Sequence, residues 1–67
     1  MREKKYEQAM NDYRKAIDLK PDYANAYCNM AICEYNLGRK SDACRDLQKA
    51  INLGLQQAND LFNQICH

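Results

Sequence analysis

Apolar residues return every three or four positions along most of this chain, which is the spacing of one face of an α-helix. The first such stripe predicts a helix over about residues 5–19 and consists of Tyr6, Ala9, Met10, Tyr13, Ala16 and Ile17. We expect it to end before Pro21, because proline disfavours the helical conformation in the residue that precedes it. No stretch alternates apolar and polar residues as a strand does.

Three further helices follow from the same spacing. The second is predicted over about residues 22–37, with Gly38 placed to close it in a left-handed conformation. The third is predicted over about residues 40–53, ended by Gly54, and the fourth over about residues 55–66. Since the connections are short, neighbouring helices should lie antiparallel.

The chain repeats itself with a period of 34 residues. When residues 6–33 are compared with residues 40–67, nine of the 28 aligned positions are identical. The identical pairs include small residues at helical spacing, Ala9 with Ala43 and Ala16 with Ala50. Small residues let two helix backbones approach closely, so the repeat indicates that one packing unit occurs twice.

This pattern resembles the tetratricopeptide repeat, a pair of antiparallel helices that stacks on its neighbours. The residues that carry the resemblance are Tyr27, Met30, Ala31 and Gly38, then Ala9, Tyr13, Ala16 and Pro21, and again Ala43, Leu47 and Ala50. The resemblance implies an all-α fold of about four helices, in which antiparallel hairpins form a short right-handed solenoid. It divides the single domain 1–67 into a half repeat (about 5–20), a complete repeat (about 22–54) and a capping helix (about 55–66).

Three positions depart from the expected pattern, and one of them is Lys40, which stands where Tyr6 stands in the earlier copy of the repeat. Glu34 stands where the family usually has an apolar aromatic residue, and Leu55 replaces the usual proline. Partial burial of Glu34 is one alternative, but we expect Glu34 to reach water or to pair with a nearby Lys or Arg.

The resemblance also implies where a partner would bind, because the first helix of each repeat lines a concave groove in this family. The groove-facing residues of the complete repeat would be Asn25, Cys28, Asn29, Ile32, Tyr35 and Asn36. Some family members hold the terminal carboxylate of a partner's tail with basic residues and asparagine. Asn29 matches such an asparagine, but Asn59 and Asn63 stand where basic residues would be expected. We therefore expect acidic C-terminal peptides to bind weakly or not at all.

A second surface follows from the expected absence of a helix before residue 5. The stripe of Tyr6, Met10, Tyr13 and Ile17 would be left uncovered on one side. An uncovered apolar stripe of this kind is typical of an interface, so a homodimer or another helix could cover it.

Charge and composition limit the partners and the cellular location that the sequence predicts. The ten basic and nine acidic residues give a net charge of +1, which predicts no preference for nucleic acid or an anionic membrane. No segment is apolar over a length that spans a bilayer or directs secretion, so we expect a cytoplasmic protein. The four cysteines, Cys28, Cys33, Cys44 and Cys66, could form a disulfide scaffold. The helical periodicity favours free thiols in packing positions instead.

The sequence offers little support for a catalytic site or a metal site. The single imidazole, His67, is the last residue, and Cys28 and Cys33 are separated by about 140° around one helix. We therefore expect no enzymatic activity, no cofactor and no metal. The predicted function is a protein-protein interaction module that holds a peptide or helix on a concave helical surface. The alternative is a structural self-association domain.

Overall fold

The computed structural model describes residues 2–66, with side chains from residue 4 onward. It contains four helices, α1 (Arg2–Leu19), α2 (Ala24–Asn36), α3 (Lys40–Asn52) and α4 (Gln56–Ile65). No strand occurs between residues 2 and 66. The all-α prediction is confirmed, and each predicted helix is present with ends that shift by up to three residues.

Each helix packs against the next one in the chain, and the α2–α3 contact is the most extensive. The connections are three or four residues long, which makes consecutive helices antiparallel. The Cα trace measures 31 × 29 × 15 Å. The described chain is therefore a thin slab of helices in sequence order.

Glycine ends α2 and α3 by the same backbone arrangement. Gly38 has φ of 82° and Gly54 has φ of 96°, a conformation that costs glycine little because it lacks a Cβ atom. After α2, the amide of Gly38 donates to Tyr35 and the amide of Arg39 donates to Glu34. The same pair of bonds follows α3, and both match the Schellman motif. The predicted role of the two glycines is confirmed.

The core consists of two clusters on different sides of α2. The larger cluster joins α2, α3 and α4 around fully or nearly buried residues, namely Cys28, Ala31, Ala43, Leu47, Ala50 and Ala58. The smaller cluster joins α1 and α2 around Met10, Met30 and Cys33. The four alanines of the larger cluster have no solvent exposure, which agrees with the expectation that small residues bring the helix backbones together.

The apolar stripe of α1 faces α2. Met10 is only 3% exposed, while Tyr6, Tyr13 and Ile17 are half-buried against the same cluster. The expectation that this stripe is left uncovered is therefore wrong for Met10 and holds only partly for the others. It failed because α2 alone covers much of a stripe this narrow. Homodimer formation itself stays a prediction.

Two of the four cysteines form a disulfide, which links Cys44 of α3 to Cys66, the residue after α4. Cys28 and Cys33 are free and buried. The expectation of four free thiols is therefore wrong for Cys44 and Cys66. Sequence spacing did not reveal it, because Cys44 and Cys66 are 22 residues apart and come together only when α4 folds back on α3. None of the helices in residues 2–66 has both the length and the apolar character needed to cross a bilayer.

Candidate interaction surface

The outer side of α2 is a continuous exposed strip. At 100° per residue, Asn25, Asn29, Ile32 and Asn36 fall within an arc of about 60°, and all four are exposed. The side chains of α2 that contact α1, α3 and α4 occupy the rest of its circumference. The strip therefore faces away from every neighbouring helix in the described part of the chain.

Two large apolar side chains stand on or beside this strip. Ile32 is 42% exposed and Tyr35 is 48% exposed. They are three residues apart, which places them on adjacent positions of the helix surface. Apolar groups flanked by polar ones are typical of a surface that contacts another protein.

Cys28 does not belong to this surface. It is 5% exposed and lies in the larger core cluster, so the expectation that its side chain lines the groove is wrong. Cys28 lies at the edge of the exposed arc and packs in the cluster that α2 shares with α3 and α4. Position along α2 alone could not show this, because it depends on how closely the other helices approach.

The asparagines of the strip differ in their hydrogen bonding. The amide nitrogen of Asn36 donates to the carbonyl oxygen of Ile32, 2.8 Å away. Within residues 4–66, the side chains of Asn25 and Asn29 have no such partner in the structure. Both amides are therefore available to a ligand as donor and acceptor together.

A buried carboxyl group lies on the opposite side of α2. Glu34 is 5% exposed, and its Oε1 has no hydrogen-bond partner among residues 4–66. Burial raises the pKa of Glu34 to about 8; the hydrogen bond and the charge of Asp46 add to that rise, as does Asp42, whereas Arg14 opposes it. The expectation that Glu34 reaches water is wrong, because α1 and α3 both pack over this position.

The free thiols are poor nucleophiles. Burial raises the pKa of Cys28, and burial together with the charge of Glu34 raises the pKa of Cys33. A reactive cysteine needs the opposite shift, since the thiolate is the nucleophile. The two sulfurs lie in separate core clusters, as their angular separation predicted. His67, the imidazole considered above, lies outside the described residues.

A recess of about 220 Å³ lies between α1 and the start of α3, away from the exposed strip of α2. Arg39 and Glu7 line it and form an ion pair, with 3.8 Å between Nη2 and Oε1. Because both side chains are about half exposed, this pair contributes little to stability.

Comparison with known proteins supports the repeat assignment directly. A model described as "TPR repeat" matches residues 1–38, and one described as "Tetratricopeptide repeat" matches residues 24–53. The chain matches no solved structure.

Three relatives illustrate the similarity. The protein SGT1 homolog of Bos taurus is 37% identical over 87% of this chain and 18% of the relative. The small glutamine-rich tetratricopeptide repeat-containing protein beta of Homo sapiens is 43% identical over 72% of this chain and 16% of its own length. The Hsp70-Hsp90 organizing protein 3 of Arabidopsis thaliana is 36% identical over 78% of this chain and 9% of its own length. The chain thus spans less than a fifth of each of these relatives. With the repeat, the helix hairpins and these matches in agreement, the chain belongs to the tetratricopeptide repeat family.

Proposed function

We propose that this chain is a non-catalytic protein-protein interaction module that binds a peptide or helix on the exposed strip of α2. The observation that carries the proposal is the exposure of Ile32 and Tyr35 beside unpaired asparagine amides. A helical-repeat scaffold holds such a strip rigid, so little ordering free energy is lost on binding.

The relatives support an interaction role through what their names state. One of them is an organizing protein for Hsp70 and Hsp90. We propose that this chain likewise engages another protein, and we assign it no particular one. Its location in the cytoplasm stays a prediction.

The raised pKa values of Cys28 and Cys33 support a role without thiol catalysis. Self-association through the stripe of α1 is less favoured as a function, because Met10 lies in the core.

Selection from a displayed peptide library, followed by affinity measurement on variants, tests the proposal. Ile32→Asp should weaken the binding of selected peptides at least tenfold, because it places a charge at the apolar centre of the strip. Leu19→Asp is the matched control: Leu19 is also a large exposed apolar residue, 88% exposed, but it ends α1. Equal losses in both variants, or selected peptides that tolerate Ile32→Asp, would contradict the proposal.

A further inference from the structure

The recess between α1 and the start of α3 is large enough to hold a small polar group. Its volume is about 220 Å³, many times the ~15 Å³ that one water molecule needs. Met10, which is 3% exposed, forms part of its lining, and the other lining residues are Glu7, Asn11, Arg14 and Arg39. None of these residues belongs to the exposed strip of α2, so the recess is a separate candidate site.

The two arginines of the recess have little negative charge to pair with. Arg39 is 3.8 Å from Glu7, and both side chains are about half exposed, so this ion pair is weak. Within residues 4–66, Arg14 forms no ion pair, and the side-chain amide of Asn11 forms no hydrogen bond. The recess therefore offers guanidinium and amide donors to an anion.

The buried carboxyl group of Glu34 does not neutralise Arg14 at neutral pH. Burial raises the pKa of Glu34 to about 8, Asp46 and Asp42 raise it further, and Arg14 lowers it. The carboxyl group is therefore mostly protonated at pH 7. Asp42 and Asp46 act on it from α3, and neither forms an ion pair with Arg14 in the described part of the chain.

We infer that the recess binds one phosphate monoester group between the guanidinium groups of Arg14 and Arg39, with the amide of Asn11 as a further donor. This inference goes beyond the proposed function and does not depend on it. A guanidinium group donates two parallel hydrogen bonds to a phosphate or a carboxylate. A carboxylate has two oxygens, whereas a phosphate monoester has three acceptor oxygens and a charge of about −1.5 to −2 at pH 7. The phosphate group therefore suits two arginines on separate segments better.

Glu7 would compete with this ligand for Arg39. Its carboxylate is paired with Arg39 in the structure, and a bound phosphate group would both displace it and be repelled by it. Glu7→Gln should therefore tighten phosphate binding about threefold, the size of effect that a weak surface ion pair has. Asp12→Asn is the matched control, because Asp12 is exposed on α1 outside the recess. A gain in affinity cannot result from loss of folding.

The test titrates the isotope-labelled chain with three probes: inorganic phosphate, a short peptide with one phosphoserine, and the same peptide without the phosphate. The first two should shift the NMR signals of the Nε–H groups of Arg14 and Arg39, and the third should not. Tighter binding of the phosphopeptide would identify a phosphorylated protein as the source of the group. Equal or tighter binding of inorganic phosphate would identify a free phosphate instead, and both results support the site.

Substitutions separate a built site from general attraction between charges. Arg14→Ala and Arg39→Ala should each weaken phosphate binding at least about tenfold, because each removes charge-assisted hydrogen bonds. Arg14→Lys should weaken it at least about threefold although the charge is kept, since an ammonium group lacks the planar pair of donors. Arg45→Ala is the control with the same change of charge. Arg45 is exposed on α3 outside the recess, so its loss should leave the affinity unchanged.

Two results would overturn the inference. One is the absence of shifts at Arg14 and Arg39 at roughly 20 mM phosphate, where a site of millimolar affinity is nearly full. The other is an equal loss of affinity in Arg14→Ala and Arg45→Ala, which would indicate attraction to the net charge of the chain. Because all the substituted side chains are exposed, circular dichroism should show unchanged helix content in every variant. Neither result bears on peptide binding at the strip of α2.

Discussion

At the scale of single residues, Glu34 is the clearest departure from the repeat, because it places a carboxyl group at a core position that is usually apolar. It lies in the core position of α2 between Arg14 of α1 and Asp42 and Asp46 of α3. A buried carboxyl group without a full set of hydrogen bonds costs stability, and more so when it is ionised.

The pH dependence of stability should report this residue. The pKa of Glu34 rises from 4.5 to about 8 on folding, so the stability linked to its protonation is fully present below about pH 4.5. This part of the free energy of unfolding is lost progressively as the pH rises toward 8, with a slope of at most about 1.4 kcal/mol per pH unit. Glu34→Gln should remove this slope and unfold at a higher urea concentration than the original chain at pH 8.

Urea unfolding over a pH series measures both the pH slope of the original chain and the higher stability of Glu34→Gln at pH 8. Asp60→Asn serves as the control, because it neutralises the exposed acid of α4 and should leave the profile unchanged. Parallel pH profiles for Glu34→Gln and the original chain would show that Glu34 ionises in the folded state as it does in the unfolded one.

The apolar character that the family has at position 34 pointed toward burial of Glu34, but the sequence alone did not decide between burial and contact with water. A long acidic side chain can reach water from many helix positions. Whether it does so here depends on how α1 and α3 close over α2, which is a property of three helices together. The same reason explains Cys28, whose burial depends on the cluster that α2 forms with α3 and α4.

At the scale of helices, the apolar spacing and the helix-ending residues were sufficient to predict the four helices. Gly38 and Gly54 end α2 and α3 where the sequence predicted. α1 begins at Arg2, earlier than predicted, because residues 2–5 are charged residues that favour a helix without adding to an apolar stripe. α2 begins at Ala24 because the amide of Tyr23 donates to Lys20 and closes a turn there.

A covalent link ties the end of the shortest helix to α3. α4 has ten residues, and isolated helices of that length are marginal in water. The Cys44–Cys66 disulfide closes a 22-residue separation, which stabilises the fold by about 3 kcal/mol on a chain-entropy model. Reduction should therefore lower the urea midpoint and speed amide hydrogen exchange most strongly in α4.

Cys44→Ser provides the matched control, since it removes the link and should make stability insensitive to reductant. Its free energy of unfolding should equal that of the reduced original chain within about 0.5 kcal/mol. If reductant changes neither the midpoint nor the exchange in α4, packing of Ala58, Leu61 and Phe62 is enough to hold the helix.

At the scale of the whole molecule, charged residues are divided unevenly between alternate helices. Alternate helices α1 and α3 carry the charge, while α2 and α4 present amides and a few apolar groups. The 34-residue period makes this division visible in the sequence, because equivalent residues recur on equivalent helices. The sequence does not show which apolar residues stay exposed, since that depends on the contacts each helix makes.

Mapping a bound peptide on the isotope-labelled chain by NMR tests the central claim most directly. A peptide selected on this chain should shift the amide resonances around Asn25, Asn29, Ile32 and Tyr35, and should leave those of α1 and the exposed residues of α3 unchanged. Shifts confined to α1 and α3 would contradict the claim that the exposed strip of α2 is the interaction surface.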